Sequence, residues 1–283
     1  MNRQSVLRAF LMIISLVPVP ATAWAVVAQD DAASPAYADG WQAGDNGGSG
    51  FGPWAFGFSG DLNDILHGAP QFIDTAPLAG DSLGAPSFAL TTSDRPFFFD
   101  TSETTRPFAA PLAVGQTFSI DVNGSAFNAN APGFSVGNTV QLMGDVGGER
   151  FGIFTNNQFN DDHWTAGGVD TGVAGSASFH AALTITGIDT FDFVMTPIGG
   201  GAPLYAVTGA TLGGTAGTPI TSLRFTAYGT GSSADGSKEL FFDNLLVVPE
   251  PNSCVIALVA ASVVSTARRS SRQGRRQNRN LDE

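Results

Sequence analysis

The chain contains one cysteine, Cys254, in 283 residues. It lies in an apolar stretch near the C-terminus. The main body therefore has no internal disulfide, thiol nucleophile or cysteine metal site. Basic residues are almost as scarce. Between residues 26 and 248 only Arg95, Arg106, Arg150, Arg224 and Lys238 occur, against 22 acidic residues, a net charge of about −17. The chain-wide value of −12 conceals this, because the other eight basic residues lie near the termini. Phosphate binding requires clustered Lys and Arg, so nucleic acid and anionic lipid are excluded as partners of this region. The same charge suits cation binding or simple solubility. No twelve-residue stretch keeps a 3.6-residue apolar period, and 35 glycines argue against helices.

Hydrolytic catalysis is not signalled either. No Gly-x-Ser-x-Gly elbow sits between a strand and a helix, and His67, His163 and His180 lack neighbours that would make a triad or a metal pair. A glycoside hydrolase needs two carboxylates across one cleft. The central glutamates, Glu103, Glu149 and Glu239, each read as lying beside a turn or strand end. Asp189 and Asp192 are three apart and face opposite sides of a strand. Gly44 to Gly52 is not followed by the Lys-Ser/Thr of a phosphate loop. Its glycines read as tight turns, with Trp41, Phe51 and Trp54 docking on the core and Asp45 and Asn46 as further cation ligands at most. No catalytic residue is assigned.

What is present is a series of short strands between Gly, Ser, Thr, Asn and Asp turns. Phe118 to Val122, Ala182 to Ile188, Phe191 to Met195 and Leu223 to Tyr228 alternate apolar and polar residues, as half-buried strands do. Thr139 to Met143 and Arg150 to Phe154 flank a glycine-rich turn and predict a hairpin. Glu239 to Val248 reads as the last strand. Strands this close together, without helices between them, predict an all-β fold, an antiparallel jelly-roll β-sandwich over residues 37–248.

The two ends of the chain differ from this body. Arg3 and Arg8, an apolar core from Ala9 to Val19 and small residues around Ala21 to Ala25 predict a signal helix over residues 1–25, removed by signal peptidase. Residues 26–36 read as a linker. At the other end Pro249, Glu250 and Pro251 precede an uncharged stretch, 253–267, of about 15 residues or roughly 22 Å as a helix. A free-standing span needs roughly 20 apolar residues, so this one suits transient membrane insertion, with Arg268, Arg269 and the arginines after them held at the cytoplasmic face.

Triplet, hydrophobic helix and arginine cluster over 249–276 resemble the PEP-CTERM sorting signal of bacterial envelope proteins, leaving 277–283 as a tail. The resemblance implies recognition of Pro249-Glu250-Pro251 by a membrane-embedded exosortase and removal of the helix and basic tail. It places the mature protein in the cell envelope, on the outer surface or in the extracellular matrix. The body resembles the concanavalin A-like jelly rolls that often precede this signal. That likeness is carried by Tyr37 to Trp41, by Gly44 to Trp54, and by Leu240 to Leu245.

One stretch concentrates binding chemistry. Residues 156–164 carry Asn157, Asp161, Asp162, His163 and Trp164. An indole stacks on a pyranose while carboxylates and amides take its hydroxyls, and Asp161 and Asp162 are candidate calcium ligands, calcium taking six to eight oxygens. A solvated hairpin loop with Trp164 packed on the sheet is the competing reading. Phe97-Phe98-Phe99 is either a partner patch or a buried strand. The expected function is an exported, exosortase-processed module with a structural or adhesive role. The alternatives are a calcium-assisted carbohydrate-binding module, bound to exopolysaccharide or envelope glycan, and an unrecognised glycosidase. No cofactor other than calcium is expected.

Overall fold

Alternating side chains set the architecture. Strands β11 (Ser178–Gly187) and β12 (Thr190–Pro197) bury every second residue, Phe179, Ala181, Leu183 and Ile185 on one and Phe191, Phe193 and Met195 on the other. Such a strand has one apolar face and must pack it against another sheet. The computed structural model describes residues 26–60, 70–76, 81–92, 100–124, 137–145, 148–156, 163–229 and 239–249. Among these, 15 strands form two antiparallel sheets, and the only helical piece is a 3-10 turn at Pro35–Tyr37.

The first sheet also contains β1 (Ala28–Asp30), β3 (Gln71–Asp74), β4 (Ser87–Leu90), β6 (Gln116–Gly124), β13 (Tyr205–Thr211) and β15 (Leu240–Pro249). Its order is β13-β12-β11-β6-β15-β4-β3, with β1 paired to the second half of β15. The second sheet comprises β2 (Ala55–Ser59), β5 (Asp100–Pro107), β7 (Gly137–Gly144), β8 (Glu149–Asn156), β9 (His163–Ala166), β10 (Val169–Ala174) and β14 (Ile220–Gly229). Its order is β10-β9-β8-β7-β14-β5-β2. The inner faces meet through aromatic rings. Phe225 of β14 stacks on Phe242 of β15 at 4.0 Å between centroids, and Trp54 packs against Phe88, Phe225 and Phe242. Each buried aromatic of this kind stabilises by roughly 1.5–3 kcal/mol relative to exposure. The all-β expectation holds, as does the 139–154 hairpin, which is the β7–β8 pair. The signal helix and the C-terminal hydrophobic helix lie outside the described residues, as does Phe97-Phe98-Phe99.

Two expectations change. Residues 28–30, read as linker, are β1: Ala28 and Asp30 stand opposite Val247 and Leu245 and are buried. Three residues are too few to show alternation, so sequence gave no sign of this strand. Glu103, read as flanking a turn, lies mid-strand in β5 opposite Thr226.

The glycine-rich loop after the 3-10 turn has a specific task. It wraps the fully buried Arg106 of β5, whose guanidinium lies 4.7 Å from the ring centroids of both Phe51 and Trp54. Arg106 Nε donates to Gly52 O at 3.1 Å, and Nη2 donates to Gly47 O at 2.6 Å and to Asn46 Oδ1 at 3.3 Å. Nη1 pairs with Asp30 and reaches the Tyr37 hydroxyl. All five donors of the fork are thus engaged. Glycine is needed at 48 and 50, where φ is +67° and +74°. A Cβ there would lie 1.9 Å from Gln29 O and 2.2 Å from Val27 O. Asp45 is used within the loop as well, accepting from Gln42 N at 2.7 Å.

Candidate functional site

The outer face of the second sheet carries the densest mixed chemistry among the described residues. Cross-strand register sets its side chains in rows. Glu103, Thr226, Thr139, Phe154 and Thr165 lie opposite one another across β5, β14, β7, β8 and β9. The row on one side runs Thr105, Arg224, Gln141, Gly152, and the row on the other side runs Thr101, Tyr228, Gly137. Strands about 4.8 Å apart and about 3.3 Å of rise per residue make this a surface of roughly 20 Å by 14 Å.

Glycines under two of these side chains let them lie flat. A Cβ at Gly137 would sit 2.2 Å from the Tyr228 ring, so the ring rests directly on the β7 backbone. A Cβ at Gly152 would sit 2.8 Å from the Glu149 carboxylate, which folds back over β8 in the same way. Arg224 Nε donates to Gln141 Oε1 at 2.6 Å, and Gln141 Nε2 donates to Glu149 Oε2. Guanidinium, amide and carboxylate thus form one chain across three strands. Burial raises the pKa of Tyr228 further above its ordinary value, and the phenol is a hydrogen-bond donor at neutral pH. All of these side chains are half-buried.

The stretch read from sequence as the binding loop is placed differently. Trp164 of β9 is fully buried and meets Phe179 edge-on at 5.2 Å, so its indole is a core group with no face for a sugar. His163 is exposed, with Nδ1 3.4 Å from Asp170 Oδ1 on β10. Asp170 is held below the usual carboxylate range, chiefly by the Gly172 N–H and then by His163. Asn157, Asp161 and Asp162 lie outside the described residues, so the calcium pair is not placed. Among the described residues no three His, Cys, Asp or Glu side chains gather as a metal site. Of the sorting residues only Pro249 is described. It ends β15 opposite Gln116, while Glu250, Pro251, Arg268 and Arg269 lie outside.

Two further groupings went unread in the sequence. His180 Nδ1 lies 2.7 Å from Asp121 Oδ1 on the outer face of the first sheet, and Asn244 Nδ2 donates to Asp121 Oδ2 at 2.8 Å. The pair is a histidine–carboxylate contact supplied by strand register, and among the described residues it makes neither a triad nor a metal pair. The Asp243 carboxyl beside them accepts from Ala32 N at 2.8 Å, and its pKa is pushed up to about 6, mainly by burial.

No family model matches the chain, and no curated protein matches it. Solved structures do overlap it. A glycosyl hydrolase family protein from Mycobacterium fortuitum has a TM-score of 0.39 and 10% identity, covering 69% of this chain and 90% of that one. A carbohydrate-binding module from a Lactobacillus casei phage Dit protein has a TM-score of 0.36 and 15% identity, covering 59% and 78%. A Bauhinia forficata lectin solved with GalNAc has a TM-score of 0.32 and 10% identity, covering 63% and 95%. These overlaps carry neither site residues nor an activity over to this chain.

Proposed function

We propose that the chain is an exported envelope or matrix module that binds glycan without cleaving it. The binding surface is the outer face of the seven-stranded sheet. The observation that carries this reading is the placement of Tyr228 and Phe154 on one face with the Arg224–Gln141–Glu149 chain. Aromatic rings accept the C–H face of a pyranose, while guanidinium, amide, carboxylate and threonine groups take its hydroxyls. Groups already held flat lose little freedom on binding, which favours affinity.

Hydrolysis fits the face less well. The paired acids of glycosidases stand about 5–5.5 Å or about 6.5–9.5 Å apart. Glu103 and Glu149 start from β5 and β8, three strands or roughly 14 Å apart. Arg224 lies between them, and Gln141 occupies Glu149. Export is supported by the positively charged, apolar start of the chain and by the Pro249-Glu250-Pro251 triplet with its uncharged stretch and arginines. The strand order of the two sheets supports a concanavalin A-like jelly roll for the body. Exosortase processing and an adhesive role in the matrix complete the reading.

The test is thermal unfolding of the full chain against bacterial and algal polysaccharides, with calcium and with EDTA. A glycan that binds the native state raises Tm by mass action, at 100 times Kd by about 2.7 kcal/mol of stability. Tyr228→Ala is expected to weaken that binding about tenfold, read as Kd by titration so that the loss of ring packing on Gly137 does not enter. A flat response to every glycan would overturn the binding reading. A calcium dependence lost in an Asp161→Ala, Asp162→Ala variant would move the site to the 156–164 loop.

A further inference from the structure

A second surface lies at the end of the sandwich where the chain exits. A groove of about 340 Å³ has a floor of Leu112, Ile185, Leu212 and Ile220. Its rims include Val114, 60% exposed, and Ile188, 72% exposed. Val114 and Ile188 carry the apolar lining of the groove out to the surface. The walls are fixed in place. The buried Arg150 donates from Nη1 to Gly213 O at 2.6 Å and to Thr215 O at 2.5 Å, and its Nη2 pairs with Asp189. Asp189 also accepts from Gly217 N at 2.8 Å, which holds the β13–β14 loop against the β11–β12 turn. Gly115 N donates to Ile185 O at 2.7 Å and ties the Val114 rim to β11.

We propose that this groove seats the chain's own uncharged C-terminal segment, residues 253–267. The exit point is the first reason. Pro249, the last residue of β15, stands opposite Gln116, whose N donates to Ala113 O at 3.1 Å in the groove wall. The uncharged segment begins four residues later, a tether of at most about 14 Å. The ten residues of β15 span roughly 33 Å, so the tether reaches this end of the sandwich and not the other. Composition is the second reason. The segment's Val, Ile and Leu residues match the groove's lining, and leaving them in water costs about 25 cal/mol per Å². Charge is the third. Six arginines follow the segment, and residues 26–248 carry a net charge of about −17. The docked segment is shielded from water until a membrane or a processing enzyme takes it. This inference stands whether or not the sheet face binds glycan.

The segment's far end is the informative position, because a label near the tether would approach the groove in any case. In the full chain without detergent, Cys254→Ser with Ser265→Cys carries one spin label. The expected result is loss of the methyl signals of Val114, Ile188 and Leu212, with those of Leu204 and Leu240, at the other end of the sandwich, retained. Adding Val114→Asp and Ile188→Asp, both at exposed positions, is expected to restore the Leu212 signal with the rest of the spectrum intact. Groove signals that stay sharp with the label oxidised would overturn the proposal. So would broadening seen only in mixtures where the label is on a separate copy, which would make the occupant a second molecule.

Discussion

Replacing Arg106 with methionine is expected to destabilise the protein by about 3–5 kcal/mol, the loss typical when one partner of a buried ion pair is removed. Both side chains of the Arg106–Asp30 pair are fully buried. Burial raises the pKa of Asp30, the Arg106 charge opposes that rise, and removing the arginine leaves the buried carboxyl with only neutral donors, the Tyr37 hydroxyl and the Asp31 N–H. The loss extends beyond one pair. Gly47 O, Gly52 O and Asn46 Oδ1 lose their donor, and Phe51 and Trp54 lose the cation between them. The glycine-rich loop and β1 are joined by this side chain as well as by the paired backbone hydrogen bonds of Gln29 and Ser49, so they are expected to loosen together. Urea unfolding of the full chain gives the number. Hydrogen exchange should show Ala28 to Asp30 and Gly47 to Gly52 opening first. Adding Asp30→Asn is expected to recover part of the loss, because the second variant no longer buries an ionisable group alone. A loss below about 1 kcal/mol, the scale of an exposed ion pair, would contradict this account of Arg106.

That arginine also marks the limit of what local pattern discloses. The alternation in Phe118–Val122 and Phe191–Met195 was sufficient to place β6 and β12, because the apolar residues of each strand share its inner face. Arg106 alternates inward within Thr104-Thr105-Arg106, where a charged residue ordinarily points to water. Its partners sit 54 to 76 positions away, and nothing local announces them. The glycines of Gly44 to Gly52 were legible as turns. Their actual constraint, close approach to Gln29 and Val27, depends on β1, a strand too short to show a period.

The candidate binding face was half legible. Leu223 to Tyr228 alternates, which puts Arg224, Thr226 and Tyr228 on one side of a strand. Joining them to Gln141, Glu149 and Phe154 requires the register of β14 with β7 and of β7 with β8, and register is a long-range property. The 156–164 loop drew attention because its chemistry is contiguous in sequence. Trp164 then turned inward because β9 pairs with β8 and continues the same inner face, where Phe179 receives it. Density of polar residues in a sequence therefore pointed to a loop, whereas pairing of strands assembled the face.

Asp243→Asn is expected to stabilise the protein by about 2 kcal/mol at pH 7.5 and to change little at pH 4. Asp243 follows Phe242 on β15, just before the irregularity at Asn244, which has φ of +55°. Its pKa rises from 3.8 to about 6, first through burial and further through the charges of Asp31 and Asp121, against hydrogen bonds from the Ala32 and Asn244 N–H groups. A carboxyl with a higher pKa folded than unfolded binds its proton more tightly in the native state. Its contribution to stability is therefore full at and below about pH 4, and is lost as pH rises through about 6. Each pKa unit corresponds to about 1.4 kcal/mol, and partial exposure of the side chain reduces the sum. Asparagine keeps the acceptor for Ala32 N and carries no charge, so it removes the penalty at neutral pH. Urea midpoints of both proteins at pH 4 and pH 7.5 test this, with the wild type expected to gain less stability, or to lose more, than the variant between the two. Equal pH dependence in both proteins would show that Asp243 titrates at its ordinary value and that the β15 irregularity buries no charge.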